Sequence, residues 1–153
     1  MDVTVIPARP PFTIRPATAG DYERLVALWT AAGVKLQTGG RERKSAFLRQ
    51  IEQFADLYLV AGDGDELVGV VLGTHDGRKG WISRLAVHPG YQRRGVGAAL
   101  VSACDAAIRA QGIEIVCALV ETGNAASAAL FEKLGFRADV PVLYYRKPRH
   151  PGA

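Results

Sequence analysis

Two cysteines and three scattered histidines are too few, in a chain of 153 residues, for a disulfide scaffold or a zinc site. No CxxC or HxxxH spacing occurs, so no metal is expected. Cys104 and Cys117 sit in the apolar stretches SACDAAI and IVCALV, which makes them packing residues rather than nucleophiles. No apolar run approaches the ~20 residues of a membrane span. The start, MDVTVIPARPP, lacks the apolar core of a signal peptide, and the expectation is a cytoplasmic protein with no membrane partner. Basic runs interleaved with aromatics are also missing, so the net charge of +4 does not point to nucleic acid. It does favour a small anionic partner. Such a partner would account for one of three basic clusters: Arg41–Arg43–Lys44, Arg93–Arg94 or Arg146–Lys147–Arg149. The other two read as solvated surface.

What is present suits one soluble domain. The composition is 48% hydrophobic and 22% charged, and no repeat or linker divides the chain. We place an extended arm at 1–11, the domain at 12–147 and a tail at 148–153. A strand over Phe12 to Thr18 leads to a helix opened by Asp21, in which Leu25, Leu28 and Trp29 share one face. RERKSAFLRQIEQF reads as a second helix. DLYLVAGD and ELVGVVLGTH form a hairpin about GDGDE, and HDGRKG turns into the strand WISRLAVH. A helix from Ala98 to Ala110 follows. IEIVCALV, a continuous apolar run, suits a strand covered on both faces. Asn124 to Leu134 is helical, and two last strands are expected near Phe136 to Ala138 and Val142 to Arg146. The order β-α-α-β-β-β-α-β-α-β-β defines an α/β fold, with a mixed central sheet and helices on both faces. The crossover from Trp81 to Val120 should join two parallel strands.

LAVHPGYQRRGVGAALV carries the most chemical information. A strand ends at Val87, His88–Pro89–Gly90 turns the chain, and a glycine-containing loop enters a helix. The backbone N–H groups from Arg93 through Ala98 are then the unpaired donors of a helix start, in a positive dipole field. Gly95 and Gly97 remove side chains where a phosphate would approach, and Arg93 and Arg94 add charge. Each dipole contribution is only ~0.3–1 kcal/mol, so several donors must act together. The loop lacks the Lys-Ser/Thr ending of a nucleotide-hydrolysing P-loop, and its glycines do not fit GxGxxG.

QRRGVGA, Gln92 to Ala98, matches the Q/R-x-x-G-x-G/A signature of GCN5-related N-acetyltransferases. NAASAALFEKLGF resembles that family's N-x-x-A-x-x-L-Y-E-K-x-G-F element. The resemblance covers roughly Phe12 to Lys147 and implies the acyl-CoA N-acyltransferase fold, its sheet splayed between strands 4 and 5. It implies acetyl-CoA as co-substrate, held between those strands. Leu85, Ala86 and Val87 match the strand that pairs with the pantetheine arm. Gln92, Arg93, Arg94, Gly95, Val96, Gly97 and Ala98 match the pyrophosphate cradle. Asn124 matches the residue that reaches the pantetheine, although it is also a natural N-cap. Ser127 and Phe131 match positions beside the cofactor.

Two positions depart from the family pattern. Phe131 stands where the family has the tyrosine often assigned as the acid, and Trp81 stands where some members place a glutamate base. A thiol of pKa ~8.5 leaves tolerably unassisted. A lysine-like acceptor is the harder problem, since only about one molecule in two thousand is neutral at pH 7. Glu121 is the first candidate base and Tyr144 a candidate acid. His75, Asp76, Tyr22 and Trp29 are candidates for the acceptor pocket, with hairpin and core roles as their alternatives. The function implied is direct acetyl transfer to a primary amine, without an acyl-enzyme, and a small molecule is the expected acceptor. A protein N-terminus or lysine is the main alternative. A non-catalytic acetyl-CoA sensor is the rival that Phe131 favours. A homodimer fits the resemblance.

Overall fold

The computed structural model describes residues 12–153, so the proposed arm at 1–11 lies outside the described residues. Five strands and four α-helices follow in the order β1 (Thr13–Pro16), α1 (Tyr22–Ala31), α2 (Lys44–Gln53), β2 (Tyr58–Asp63), β3 (Glu66–His75), β4 (Lys79–Val87), α3 (Val96–Ala110), β5 (Ile115–Ala118) and α4 (Ala125–Lys133). The strands form one sheet in sequence order, antiparallel from β1 to β4. β5 lies parallel to β4, as the helical crossover requires.

Period-two alternation along the strands supplies two cores. Leu57, Leu59, Val71 and Ile82 face α3, which contributes Leu100, Cys104 and Ile108, with Phe131 of α4 beside them. Tyr58, Val60, Val70 and Leu72 face the other way, onto Leu25, Leu28 and Trp29 of α1 and Phe47 of α2. α3 lies very close to the sheet. A Cβ added at Gly73 would meet the Cys104 sulfur at 2.6 Å, so only glycine fits there.

α1 is fastened at its start by Asp21, whose side chain is fully buried. Its carboxylate accepts from both terminal nitrogens of Arg15 at 2.8 and 2.9 Å, from Arg24 at 2.7 Å and from the Thr18 backbone N–H at 2.8 Å. The Arg15 hydrogen bonds pull its pKa down to about 2, against the opposing effect of burial.

β3 and β4 fall out of register between Val70 and Leu72, where Arg84 takes up a left-handed backbone (φ 55°). This is a bulge in β4. Ala86 faces the α1 side of the sheet, while Leu85 and Val87 pack toward α3.

Three expectations are corrected. α3 begins at Val96, two residues before Ala98. β5 is confined to Ile115–Ala118, and it is not covered on both faces: Val116 and Ala118 pack on the α3 core, but Ile115, Leu119 and Val120 are exposed. No strand forms over 136–146, where Val140, Val142, Leu143, Tyr144 and Tyr145 stand between 68% and 86% exposed. Strand propensity there finds no ladder partner among the described residues, and a strand exists only by pairing. The tail at 148–153 folds back toward the start of α2, where Arg41 Nη1 donates to the backbone oxygen of Ala153.

Candidate functional site

The pairing of β4 with β5 ends at Ile82↔Ala118. Beyond it, β4 runs from Ser83 to Val87 with no strand on its β5 side among the described residues, which opens a wedge in the sheet. That edge offers backbone N–H and C=O groups to an extended, amide-bearing ligand.

The wedge leads to the start of α3. His88 begins the turn, its Nδ1 accepting from Gly90 N–H at 3.0 Å. Tyr91 donates from its hydroxyl to Asp63 Oδ2 at 2.6 Å, and that bond raises the phenol's pKa. The Arg94 guanidinium lies 5.1 Å above the Tyr91 ring. Gly95 then takes φ 80° as the N-cap residue, a backbone that glycine adopts without penalty. Arg93, at φ 65°, adopts the same region at a cost of order 1–3 kcal/mol. Among the described residues no side chain caps α3, and no acidic residue occupies its first turn. The donors at this helix start are therefore without a side-chain acceptor, with two arginines beside them. These residues fit a pyrophosphate.

A Cβ at Gly97 would meet Leu130 of α4 at 3.4 Å and Val87 at 3.6 Å, ordinary contact distances, so packing within the protein does not by itself require glycine there. Asn124 is the N-cap of α4, its Oδ1 accepting from Ser127 N–H at 3.2 Å. Phe131 is buried in the α3-side core, its ring edge-on to Phe136 at 5.2 Å. Glu121 is exposed in the turn after β5, and Tyr144 lies in the exposed stretch beyond α4, with Arg146 6.0 Å over its ring. Neither Glu121 nor Tyr144 makes a side-chain hydrogen bond or ion pair among the described residues.

On the opposite face, beside the bulge, lies a cavity of about 190 Å³. Tyr22, Trp29, Phe47, Tyr58 and Leu72 form its apolar wall. Arg41, Glu42, Gln50, Ser83 and Arg84 supply its polar groups. The helices and strands lock these side chains together. Trp29 Nε1 donates to the Arg84 carbonyl at 3.0 Å, and the Tyr22 hydroxyl donates to the Glu42 carbonyl at 2.6 Å. Arg84 donates to the Lys35 carbonyl at 3.0 Å and pairs with Glu42 Oε1. Glu42 Oε2 accepts from Gln37 N–H at 2.7 Å. The Tyr58 hydroxyl donates to Gln50 Oε1 at 2.9 Å, and burial pushes its pKa up to about 12. Tyr58 is thus a donor at neutral pH and not a base.

Tyr22 and Trp29 line this cavity as the sequence suggests, although Trp29 is also core. His75 and Asp76 are hairpin residues. His75 bonds Gln111 at 2.8 Å, and Asp76 Oδ1 accepts from Arg78 and Lys79 N–H at 2.8 Å. Ser83, Arg84 and Glu42 were not singled out from sequence. One signal was available for the first two: alternation breaks at Ser83–Arg84 in WISRLAV, as at a bulge. Arg41 belongs to one of the three basic clusters, and Glu42 stands between Arg41 and Arg43.

A splayed mixed sheet, with a helix start at the end of the wedge, defines the acyl-CoA N-acyltransferase fold. The family model for the Acetyltransferase (GNAT) family matches residues 23–136, and the chain belongs to that family. An acetyltransferase of Sodalis glossinidius is 31% identical over 127 residues, covering 83% of this chain and 88% of the relative. Among solved structures, Ard1 of Thermoplasma volcanium superposes with a TM-score of 0.74 at 23% identity, covering 85% of each chain. The PaiA N-acetyltransferase of Thermoplasma acidophilum, solved with coenzyme A, gives a TM-score of 0.71 at 21% identity. It covers 84% of this chain and 91% of that one. The protein is an acetyl-transferring enzyme.

Proposed function

We propose that the enzyme transfers acetyl from acetyl-CoA to the nitrogen of a primary amine, and that the acceptor is a small molecule. The observation that carries this reading is the wedge beside Ser83–Val87, which ends on the uncapped, arginine-flanked start of α3. In this reading Leu85, Ala86 and Val87 hold the pantetheine amides, and Gln92 with the N–H groups from Arg93 to Ala98 holds the pyrophosphate. Asn124 and Ser127 approach from α4, and Phe131 packs beneath the arm. Bound acetyl-CoA supplies an activated thioester. The acceptor reaches it from the α1–α2 side, through the cavity at the bulge. Glu121 is the candidate that takes the proton, directly or through water, and Tyr144 the candidate that returns one to the departing thiolate. We also propose a cytoplasmic homodimer, because the exposed apolar run from Val140 to Tyr145 is the kind of surface a second copy covers.

A thermal-shift titration with acetyl-CoA tests the donor. At ~100 times the dissociation constant the fold should gain about 2.7 kcal/mol. Gly95→Glu places bulk, backbone strain and negative charge at the helix start and should abolish the gain. An unshifted midpoint at millimolar acetyl-CoA would refute the proposal. Thiol release with a panel of amines then tests the acceptor.

A further inference from the structure

Resting on the reading just given, the chemistry of the cavity at the bulge narrows the acceptor class. We propose that it takes a free α-amino acid with an apolar side chain, the carboxylate on Arg41 and the side chain against the aromatic wall.

Charge comes first. The cavity holds two guanidinium groups, Arg41 and Arg84, and one carboxylate, Glu42, so its lining is net positive. Glu42 has no capacity to spare for a cationic ligand: it is engaged by Arg84, by Arg41 Nε at 3.3 Å and by Gln37 N–H. Beyond Arg41, a second hollow is lined by Arg43, Arg49 and Arg149 and by no carboxylate side chain. A polyamine or an aminoglycoside meets repulsion here, and an anionic group is attracted.

Geometry points the same way. Arg84 is half-buried and held at both ends by Lys35 and Glu42. Arg41 is half-exposed, and its Nη1 already donates to a backbone oxygen, that of Ala153, at 2.6 Å. That oxygen lines the second hollow, and a ligand carboxylate would take two parallel bonds from Arg41 by displacing it. Opposite stand Tyr22, Trp29, Phe47 and Tyr58, a surface for one apolar side chain. The cavity, about 190 Å³, is smaller than the ~300–1,000 Å³ of pockets for drug-sized ligands. It suits a molecule the size of one amino acid.

The same charges bear on the proton. An amine bound beside two guanidinium groups has its ammonium form disfavoured and its pKa lowered. More of it is then neutral and ready to attack. The nitrogen lone pair forms the new C–N bond, the C–S bond breaks, and the proton lost by nitrogen is matched by the one taken up as CoA leaves as its thiol. The products are an N-acetyl amino acid and CoA.

The test compares L-phenylalanine with L-phenylalaninamide, phenethylamine and putrescine, at fixed acetyl-CoA, by thiol release. Binding of L-phenylalanine to the CoA-loaded protein is measured alongside by calorimetry. L-phenylalanine should exceed its amide in kcat/KM by about tenfold or more, the scale of a charge-assisted hydrogen bond. Arg41→Gln should erase that preference, and Arg41→Lys should restore part of it. Equal use of acid and amide, or preference for putrescine, would overturn the assignment while leaving amine acetylation intact. Absence of calorimetric binding by L-phenylalanine to the CoA complex overturns it as well. Failure of CoA itself to bind would instead strike the underlying proposal.

Discussion

Asp21 ties acid stability to the α1 helix that carries the cavity wall. Its folded pKa of about 2 lies below the ordinary aspartate value of 3.8. A depressed carboxylate stabilises the fold fully above the unfolded pKa, and loses that contribution as pH falls through the folded one. The difference corresponds to about 2.5 kcal/mol, present at pH 6 and gone near pH 1. Asp21→Asn removes the charge and leaves Arg15 and Arg24 without a counter-ion. Both arginines are nearly half-exposed and can return to water, so the variant's loss should stay near the linkage value. Urea unfolding of wild type and variant between pH 7 and pH 2 reads this directly. The gap should be about 2 kcal/mol at neutral pH and shrink to about 0.4 kcal/mol by pH 2. A gap that stays constant with pH would mean the ion pairs with Arg15 and Arg24 are not what holds α1.

Cys104 is fully buried, its thiol pushed up to about 12 by burial, while Cys117 is partly exposed. Iodoacetamide at pH 7.5 should label Cys117 alone in the native enzyme, as intact and peptide mass spectrometry would show. Gly73→Val should lower stability by at least about 2 kcal/mol in chemical denaturation, because its side chain overlaps Cys104 and the Leu57 backbone. Glu121→Gln should lower kcat by about a hundredfold with little change in KM for acetyl-CoA if Glu121 takes the proton. An unchanged kcat assigns that step to solvent and to the field of Arg41 and Arg84.

The proposed donor half of the site was legible because it is local. LAVHPGYQRRGVGA is one continuous stretch, and a strand end, a turn and a glycine-containing helix start follow from its order alone. Boundaries were less so. α3 starts at Val96, since Gly95 already serves as the cap. The apolar run at 113–120 was longer than its strand because hydrophobicity marks burial, whereas a ladder ends where the neighbouring strand diverges. The segment near 142–146 shows the same limit more sharply. Val142, Leu143, Tyr144 and Tyr145 have strand-forming side chains, but pairing is a property of two segments and not of one.

The proposed acceptor half was hidden for a related reason. Its residues come from α1, the α1–α2 loop, α2, β2, β3 and the β4 bulge, and no motif links the neighbours Arg41 and Glu42 to Arg84. Arg41 and Glu42 read as surface because their neighbours are charged. Only the fold turns Glu42 inward, onto Arg84, more than forty residues away. The bulge sets that meeting. By shifting register after Ser83, it places Ser83 in the cavity and Ala86 on the same α1-side core, while Leu85 and Val87 turn toward α3. One extra residue in β4 therefore serves both halves of the proposed site. It lets the strand carry the cavity proposed for the acceptor on one face while its free edge runs on toward the helix start proposed for the donor. Removing the bulge by deleting Arg84 should impair acceptor use and cofactor affinity together, a coupling that steady-state kinetics and calorimetry on the same variant would reveal.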